Sequence, residues 1–215
     1  TERLGANIAV LQLPIGYEAD FTGVVDLLKM RAIVWSGEEL GATFDVVDIP
    51  EDMMEKATEY RAALLDVIAS LDDDLLEKYL GDEEITEDDL KPVLRRATIA
   101  NEVVPVLTGS AFKNKGVQPL LDAVVDYLPS PLDLPPVEGE SLKGGEPVAR
   151  KPANDEPFSA LAFKIVADPH GKLTYFRVYS GRLDKGDSVM NSRSGQKERV
   201  GRLLLMHANN REDLD

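Results

Sequence analysis

Hydrophobic and polar positions follow two different rhythms along this chain, and the change between them divides it. Apolar residues fill positions 7–13 (NIAVLQL) and stop at Pro14 and Gly16, the pattern of a short buried strand. Residues 24–30 are apolar with no period that separates strand from helix. Residues 31–36, with Ile33, Val34 and Trp35, and residues 43–49, with Phe44, Val46 and Val47, flank the turn-rich stretch GEELGA. That arrangement predicts a hairpin.

The helical rhythm then takes over. After Pro50, a residue suited to a first helical turn, Met54, Ala57, Tyr60, Leu64, Val67, Ile68 and Leu71 recur at steps of three or four. They form one apolar stripe and leave Glu51, Asp52, Glu55 and Glu59 outside it. A second helix over 75–80 stops at Gly81. A third starts at Thr86, where Asp89 completes a capping box, and buries Leu90, Val93, Leu94 and Ala97. Pro92 lies too deep for the first turn and is expected to kink or shorten this helix.

Residues 103–107 read as another buried strand. The strand runs into Gly109-Ser110-Ala111 and then a helix over 117–128, with Leu120, Leu121, Val124, Val125 and Leu128 on one side. Strand, tight loop and helix make half of a βαβ unit. The order strand, acidic insert, strand, helix fits the closing edge of a doubly wound sheet. The expected fold class is α/β plus β. Residues 1–16 and 103–137 would form the C-terminal edge of such a sheet, and residues 17–102 an acidic α+β insert. Prolines at 129, 131, 135 and 136 make a stiff connection, and residues 138–156 are taken as the linker. Residues 157–215 carry short strands at 160–167, 173–180, 188–191 and 199–206, separated by turns, and are expected to form an incomplete antiparallel β-barrel.

Composition sharpens this division. The formal charge is −15 over 215 residues. Residues 36–91 hold 19 acidic and 4 basic side chains, whereas residues 157–215 hold 7 acidic and 10 basic ones. The whole acidic excess therefore sits in the insert, as expected of modules with different partners. The chain has no cysteine, which excludes disulfides, thiol catalysis and zinc–thiolate sites and suits a reducing cytoplasm. Its two histidines, His170 and His207, are too far apart in sequence to suggest a metal site. There is no apolar run of membrane-spanning length and no secretory signal pattern. Thr1 in place of a starting Met, and a stop just after a strand-like run, lead us to expect a piece of a longer chain.

The sequence contains neither G-x-x-x-x-G-K-[ST] nor N-K-x-D. The first would converge backbone N–H groups on phosphates, and the second would pair with guanine ring donors. What remains is Ser110-Ala111-Phe112-Lys113 directly after a strand. A loop of this kind can offer a backbone N–H to guanine O6. Alone, S-A-x-K is a short motif that a plain strand–helix turn with small residues explains better.

Its flanks add to it. Residues 103–137 (VVPVLTGSAFKNKGVQPLLDAVVDYLPSPLDLPPV) resemble the end of the GTP-binding domain of the bacterial elongation factor G family. Residues 4–16 (LGANIAVLQLPIG) resemble the stretch before that family's inserted subdomain, and FTGVVDLLKM and EKYLG fit the insert. Residues 157–209 resemble the start of its second, barrel domain. One departure is the Asp168-Pro169-His170-Gly171 turn, a residue shorter than the family pattern.

The resemblance implies that residues 1–16 and 103–137 are the C-terminal edge of a P-loop GTPase domain, in a parent that hydrolyses GTP on the ribosome and promotes tRNA–mRNA translocation. Only the base-contact loop carries over, onto Ser110, Ala111, Phe112 and Lys113. Ligands for phosphate and magnesium have no counterpart, so the chain alone is not expected to bind GTP or GDP or to hydrolyse GTP. The resemblance also implies that the insert meets the C-terminal domain of the ribosomal stalk protein, through Glu51, Asp52, Glu55 and Glu59. It further implies that the barrel faces small-subunit rRNA, with Lys172, Arg177, Arg193, Lys197, Arg199, Arg202 and Arg211 as candidates. The alternatives are a nucleotide-independent module that docks on the stalk or ribosome, and a ribosome-recycling or ribosome-protection paralogue. The runs Asp72-Asp73-Asp74 and Glu87-Asp88-Asp89 lack the spacing of a calcium loop and suit helix N-termini instead.

Overall fold

The computed structural model describes residues 3, 5–36, 41–142, 144–168, 171–207 and 210–214. It divides into two compact units, Thr1–Pro129 and Ser130–Asp215. In the first, β1 (Ile8–Val10) and β2 (Gln12–Ile15) lead through a 3₁₀ turn at Glu18–Asp20 to β3 (Gly23–Asp26), β4 (Arg31–Val34) and β5 (Asp45–Val47). Three helices follow, α1 (Glu51–Ala69), α2 (Asp73–Leu80) and α3 (Glu87–Ile99), and then β6 (Val104–Val106) and α4 (Val117–Tyr127).

β1 and β6 pair in parallel, with Ile8 opposite Val104 and Val10 opposite Val106. The elements between them are therefore an excursion from one sheet. Part of that excursion is an antiparallel meander in the order β2-β3-β4-β5. The run 7–13, read as one strand, divides at Leu11 because its two backbone groups serve different partners. Its N–H donates to the Val106 carbonyl at 2.9 Å, and its carbonyl accepts the Leu27 N–H at 2.9 Å. Beyond that point the strand belongs to the meander. The ambiguous run 24–30 proves to be the end of β3 and a turn.

The core gathers Leu13 and Val25 from the strands and Leu11 and Leu27 beside them with Ala57, Leu64, Ile68, Leu75, Leu90, Leu94 and Ala97 from the three helices. The stripe on α1 lies one position from the one read in sequence at its start. Met53 packs inward, whereas Met54 is exposed. Pro50 precedes the helix as its N-cap.

Pro92 does not shorten α3, which continues to Ile99. Leu90, Val93, Leu94 and Ala97 are all buried. Burying a large apolar side chain contributes about 1.5–3 kcal/mol, so the set outweighs the roughly 3 kcal/mol that an interior proline costs. Pro92 itself faces solvent, where water can satisfy the carbonyl its missing N–H leaves open.

α4 departs most from the sequence reading. Its stripe of Leu120, Leu121, Val124, Val125 and Leu128 is 43–77% exposed. The helix instead turns Tyr127 and Ala123 toward the core. Arg95 of α3 donates to the carbonyls of Val125 and Asp126 at 3.2 and 2.7 Å, binding the C-terminus of α4. Lys91 bridges Glu87 and Asp126 at 2.9 and 3.0 Å.

The second unit is built from antiparallel pairs. β7 (Val137–Glu140) and β8 (Pro147–Arg150) form a hairpin that takes up most of the linker expected at 138–156, turning at Gly144 and Gly145 with φ of +152° and +71°. β9 (Ser159–Asp168) and β10 (Gly171–Ser180) make a long hairpin, followed by β11 (Ser188–Asn191) with β12 (Gln196–Arg199) and β13 (Leu203–His207) with β14 (Asn210–Leu214). Each is a two-stranded sheet, so the described residues of the unit form a set of open hairpins, β-barrel-like in content. The shortened turn at Pro169-His170 lies outside the described residues.

Candidate functional site

The loop between β6 and α4 is closed on itself. Ser110 N–H donates to the Lys115 carbonyl at 2.8 Å, and Lys115 N–H donates back to Ser110 at 3.1 Å. Inside this bridge Asn114 N–H donates to the Ala111 carbonyl at 3.1 Å, and Asn114 takes φ of +53°. Two glycines let the loop close. Gly116 has φ of +85°, and a Cβ there would lie 2.9 Å from both Gly109 Cα and the Thr108 carbonyl oxygen. The backbone of 108–109 thus crosses that of 116 at a distance only glycine permits. Gly116 also begins α4 as its N-cap.

This closure gathers Ser110, Ala111, Phe112 and Lys113 at one tip. Among the described residues, the N–H groups of Ala111 and Phe112 donate to no protein group. Unpaired N–H groups on a tight turn beside a helix N-terminus favour an acceptor oxygen. Phe112 is 98% exposed. Behind the tip, Thr108 N–H donates to the Oε1 of the buried Gln12 at 3.3 Å, which ties the loop's entry to β2.

The insert holds the loop from the other side. Lys113 Nζ donates to the carbonyls of Glu18 and Ala19 at 3.2 and 2.5 Å. Lys115 Nζ donates to the Phe21 carbonyl at 3.4 Å, and Gln118 Nε2 to the Gly41 carbonyl at 2.7 Å. Gly41 has φ of +73°, and a Cβ there would lie 2.0 Å from the Asn114 carbonyl oxygen. No periodic signal could have revealed these contacts, because Lys113 and Ala19 are 94 positions apart.

A cleft of about 480 Å³ opens between the meander and α4. Its wall includes Asp26, whose Oδ1 accepts the N–H groups of Leu28 and Lys29 at 2.9 and 3.2 Å. Burial pushes the Asp26 carboxyl above its ordinary value, against those hydrogen bonds. Arg61 of α1 donates to the carbonyls of Leu27 and Ile85 at 2.8 and 3.0 Å. Its burial lowers its pKa from the usual arginine value.

The acidic helix keeps Glu51, Asp52, Glu55 and Glu59 exposed, and among the described residues none of the four forms an ion pair. They lie on a different element from the closed loop and do not join it. The two acidic runs act at helix starts. Asp72 Oδ1 accepts the Leu75 N–H at 3.0 Å, and its other oxygen meets Arg96 at 2.7 Å. Asp89 closes the capping box with Thr86 and takes Lys78 at 2.7 Å.

In the second unit, Lys172, Arg199, Arg202 and Arg211 line a cleft of about 850 Å³. Arg202 is held by a two-pronged ion pair with Asp213 at 2.9 Å in both arms. Arg177 lies over the Tyr179 ring at 5.2 Å. His207 ends β13, with Glu212 at 3.8 Å.

Comparison with known proteins bears on these units. Residues 171–215 match the family model of elongation factor Tu domain 2. Among solved structures, the chain is similar to the protein ttk003000868 from Thermus thermophilus, with 26% identity and a TM-score of 0.71. That similarity covers 97% of this chain and 28% of the Thermus chain, so the present chain spans little more than a quarter of its relative. The family match falls within the second unit, whereas the similarity to the Thermus chain extends over both. Among the described residues no helix is long and apolar enough to cross a membrane.

Proposed function

We propose that the chain is part of an elongation factor G-type translational GTPase and supplies the guanine-facing loop, the inserted subdomain and the first hairpins of the barrel. The observation that carries this reading is the closed loop at Ser110–Lys115, whose Ala111 and Phe112 N–H groups meet no acceptor among the described residues, set after a strand that pairs in parallel with β1. The exposed apolar stripe of α4 supports it, because parallel sheets are stable when both faces are covered. Further strands of a GTPase domain would cover that stripe. In this reading the Ala111 N–H donates to guanine O6, while phosphate and magnesium are held by residues outside this chain.

The test is to express the longest reading frame that contains these residues and measure GTP hydrolysis with and without bacterial ribosomes. Ribosome-stimulated hydrolysis with tRNA–mRNA translocation is the expected result. A frame with no phosphate loop, or hydrolysis indifferent to ribosomes, refutes the assignment. The chain by itself should show no GTP or GDP binding in calorimetry, and micromolar binding overturns the view that the phosphate half lies elsewhere.

A second reading is favoured by the acidic face of α1, which forms no ion pair among the described residues. We propose that Glu51, Asp52, Glu55 and Glu59 steer the C-terminal domain of the ribosomal stalk protein, since complementary charge mainly accelerates encounter. Binding should weaken with salt. Unchanged affinity after reversal of Glu51, Glu55 and Glu59 rules that face out. Contacts from the basic side chains of the second unit to small-subunit rRNA belong to the same proposal.

A further inference from the structure

We propose that Lys113 is a positioning residue: its ammonium, seated on the Glu18 and Ala19 carbonyls, sets the direction in which the Ala111 and Phe112 N–H groups point. This rests on the guanine-facing reading of the loop and refines it. There Lys113 was grouped with the residues that contact the base. Its charged end is instead turned onto the insert, at 3.2 and 2.5 Å from two carbonyl oxygens.

The seat is built for a cation. Glu18 and Ala19 belong to the 3₁₀ turn at Glu18–Asp20, and the last carbonyls of a helical turn lack partners within it and carry partial negative charge. Glu18 holds φ of +47°, a left-handed conformation uncommon for glutamate. The next carbonyl used, that of Phe21, takes Lys115. Gln118 and the close approach of Gly41 to Asn114 complete the contact. The loop tip is therefore splinted at residues 113, 114, 115 and 118, all of them outside the Ala111–Phe112 pair it presents. Lys113 and Lys115 of the loop and Gln118 at the start of α4 all donate to insert carbonyls, so they constrain loop shape without occupying the N–H groups. A donor fixed in advance costs no reorganisation when an acceptor arrives.

The experiment compares the 215-residue chain with Lys113→Met and Lys113→Arg. Folding is checked through Trp35 fluorescence, and a variant that fails the check is replaced by Lys113→Gln. Amide exchange is read at Asn114 and Lys115, whose N–H groups close the loop. Guanosine is titrated at millimolar concentration with adenosine as control, reading the amide shifts of Ala111 and Phe112. Lys113→Met should speed exchange at both loop amides by about tenfold, the effect of losing a hydrogen bond to a charged donor, and leave α1 and α3 unchanged. It should weaken the guanosine response about fivefold or more, and arginine should restore both. Unchanged exchange in Lys113→Met, or a guanosine response equal to wild type, overturns the proposal. Faster exchange in a chain whose wild type ignores guanosine upholds the splint and removes the guanine reading.

Discussion

Replacing Gly116 by alanine should destabilise the first unit far more than the same change at Gly5. Both glycines have positive φ, +85° and +60°, so each variant incurs the left-handed penalty, about 1–2 kcal/mol. Each also restricts the unfolded chain to a similar degree, a gain of about 0.4–1 kcal/mol that cancels in the comparison. The difference lies in space. A Cβ at Gly5 meets nothing within 4 Å, whereas one at Gly116 lies 2.9 Å from Gly109 Cα and the Thr108 carbonyl oxygen. Both obstacles are backbone, so the loop must open to admit the methyl, at the roughly 1–3 kcal/mol typical of overpacking. The chain's single tryptophan makes the measurement specific. Trp35 is 3% exposed in the first unit, so its fluorescence during urea unfolding reports that unit. For a slope of about 2 kcal/mol per molar urea, a 2 kcal/mol excess lowers the midpoint by about 1 M relative to Gly5→Ala. Equal midpoints would falsify the close crossing of strand exit and helix start.

Two further outcomes follow from the core and from the capping carboxylates. Leu94→Ala, at a fully buried position of α3, should cost about 2–5 kcal/mol in the same urea assay, while Leu121→Ala, 59% exposed on α4, should cost less than about 1 kcal/mol; comparable losses contradict the exposed stripe. Asp89 is held below the usual carboxylate range by Lys78 and Thr86, and Asp72 by Arg96 and the Leu75 N–H. Their contribution is present above the unfolded value, about 3.9, and is lost as pH falls below it. The Trp35 urea midpoint should therefore drop between about pH 5 and about pH 2 more steeply in wild type than in an Asp72→Asn, Asp89→Asn double variant; parallel curves contradict the assignment.

Local rules set much of the insert in advance. The capping box at Thr86 and Asp89, the stop at Gly81 and the apolar spacing of α1 each depend on residues a few positions apart, so sequence alone carries them. The tightness of the Gly109–Ser110–Ala111 turn is legible for the same reason. The stripe of α4 is legible too, but not its fate. Periodicity shows that a helix has an apolar side, not whether a partner covers it, and here the helix turns its other side to α3. Pro92 runs against the sequence expectation because propensity is a local cost and the burial that overrides it is not.

The sequence by itself determined that a strand–turn–helix presents Ser110, Ala111, Phe112 and Lys113, and that the charge sits in a separate insert. Tertiary structure alone decided that Leu11 divides its backbone between two sheets. It alone decided that β1 and β6 are neighbours across the whole insert, and that Lys113 turns its ammonium to a carbonyl 94 positions away. The physical reason is one of range. Turn chemistry and helix capping act over three or four residues and leave a mark in the sequence. A lysine that seats on backbone carbonyls leaves none, because every residue has a carbonyl and only the folded path says which one it meets.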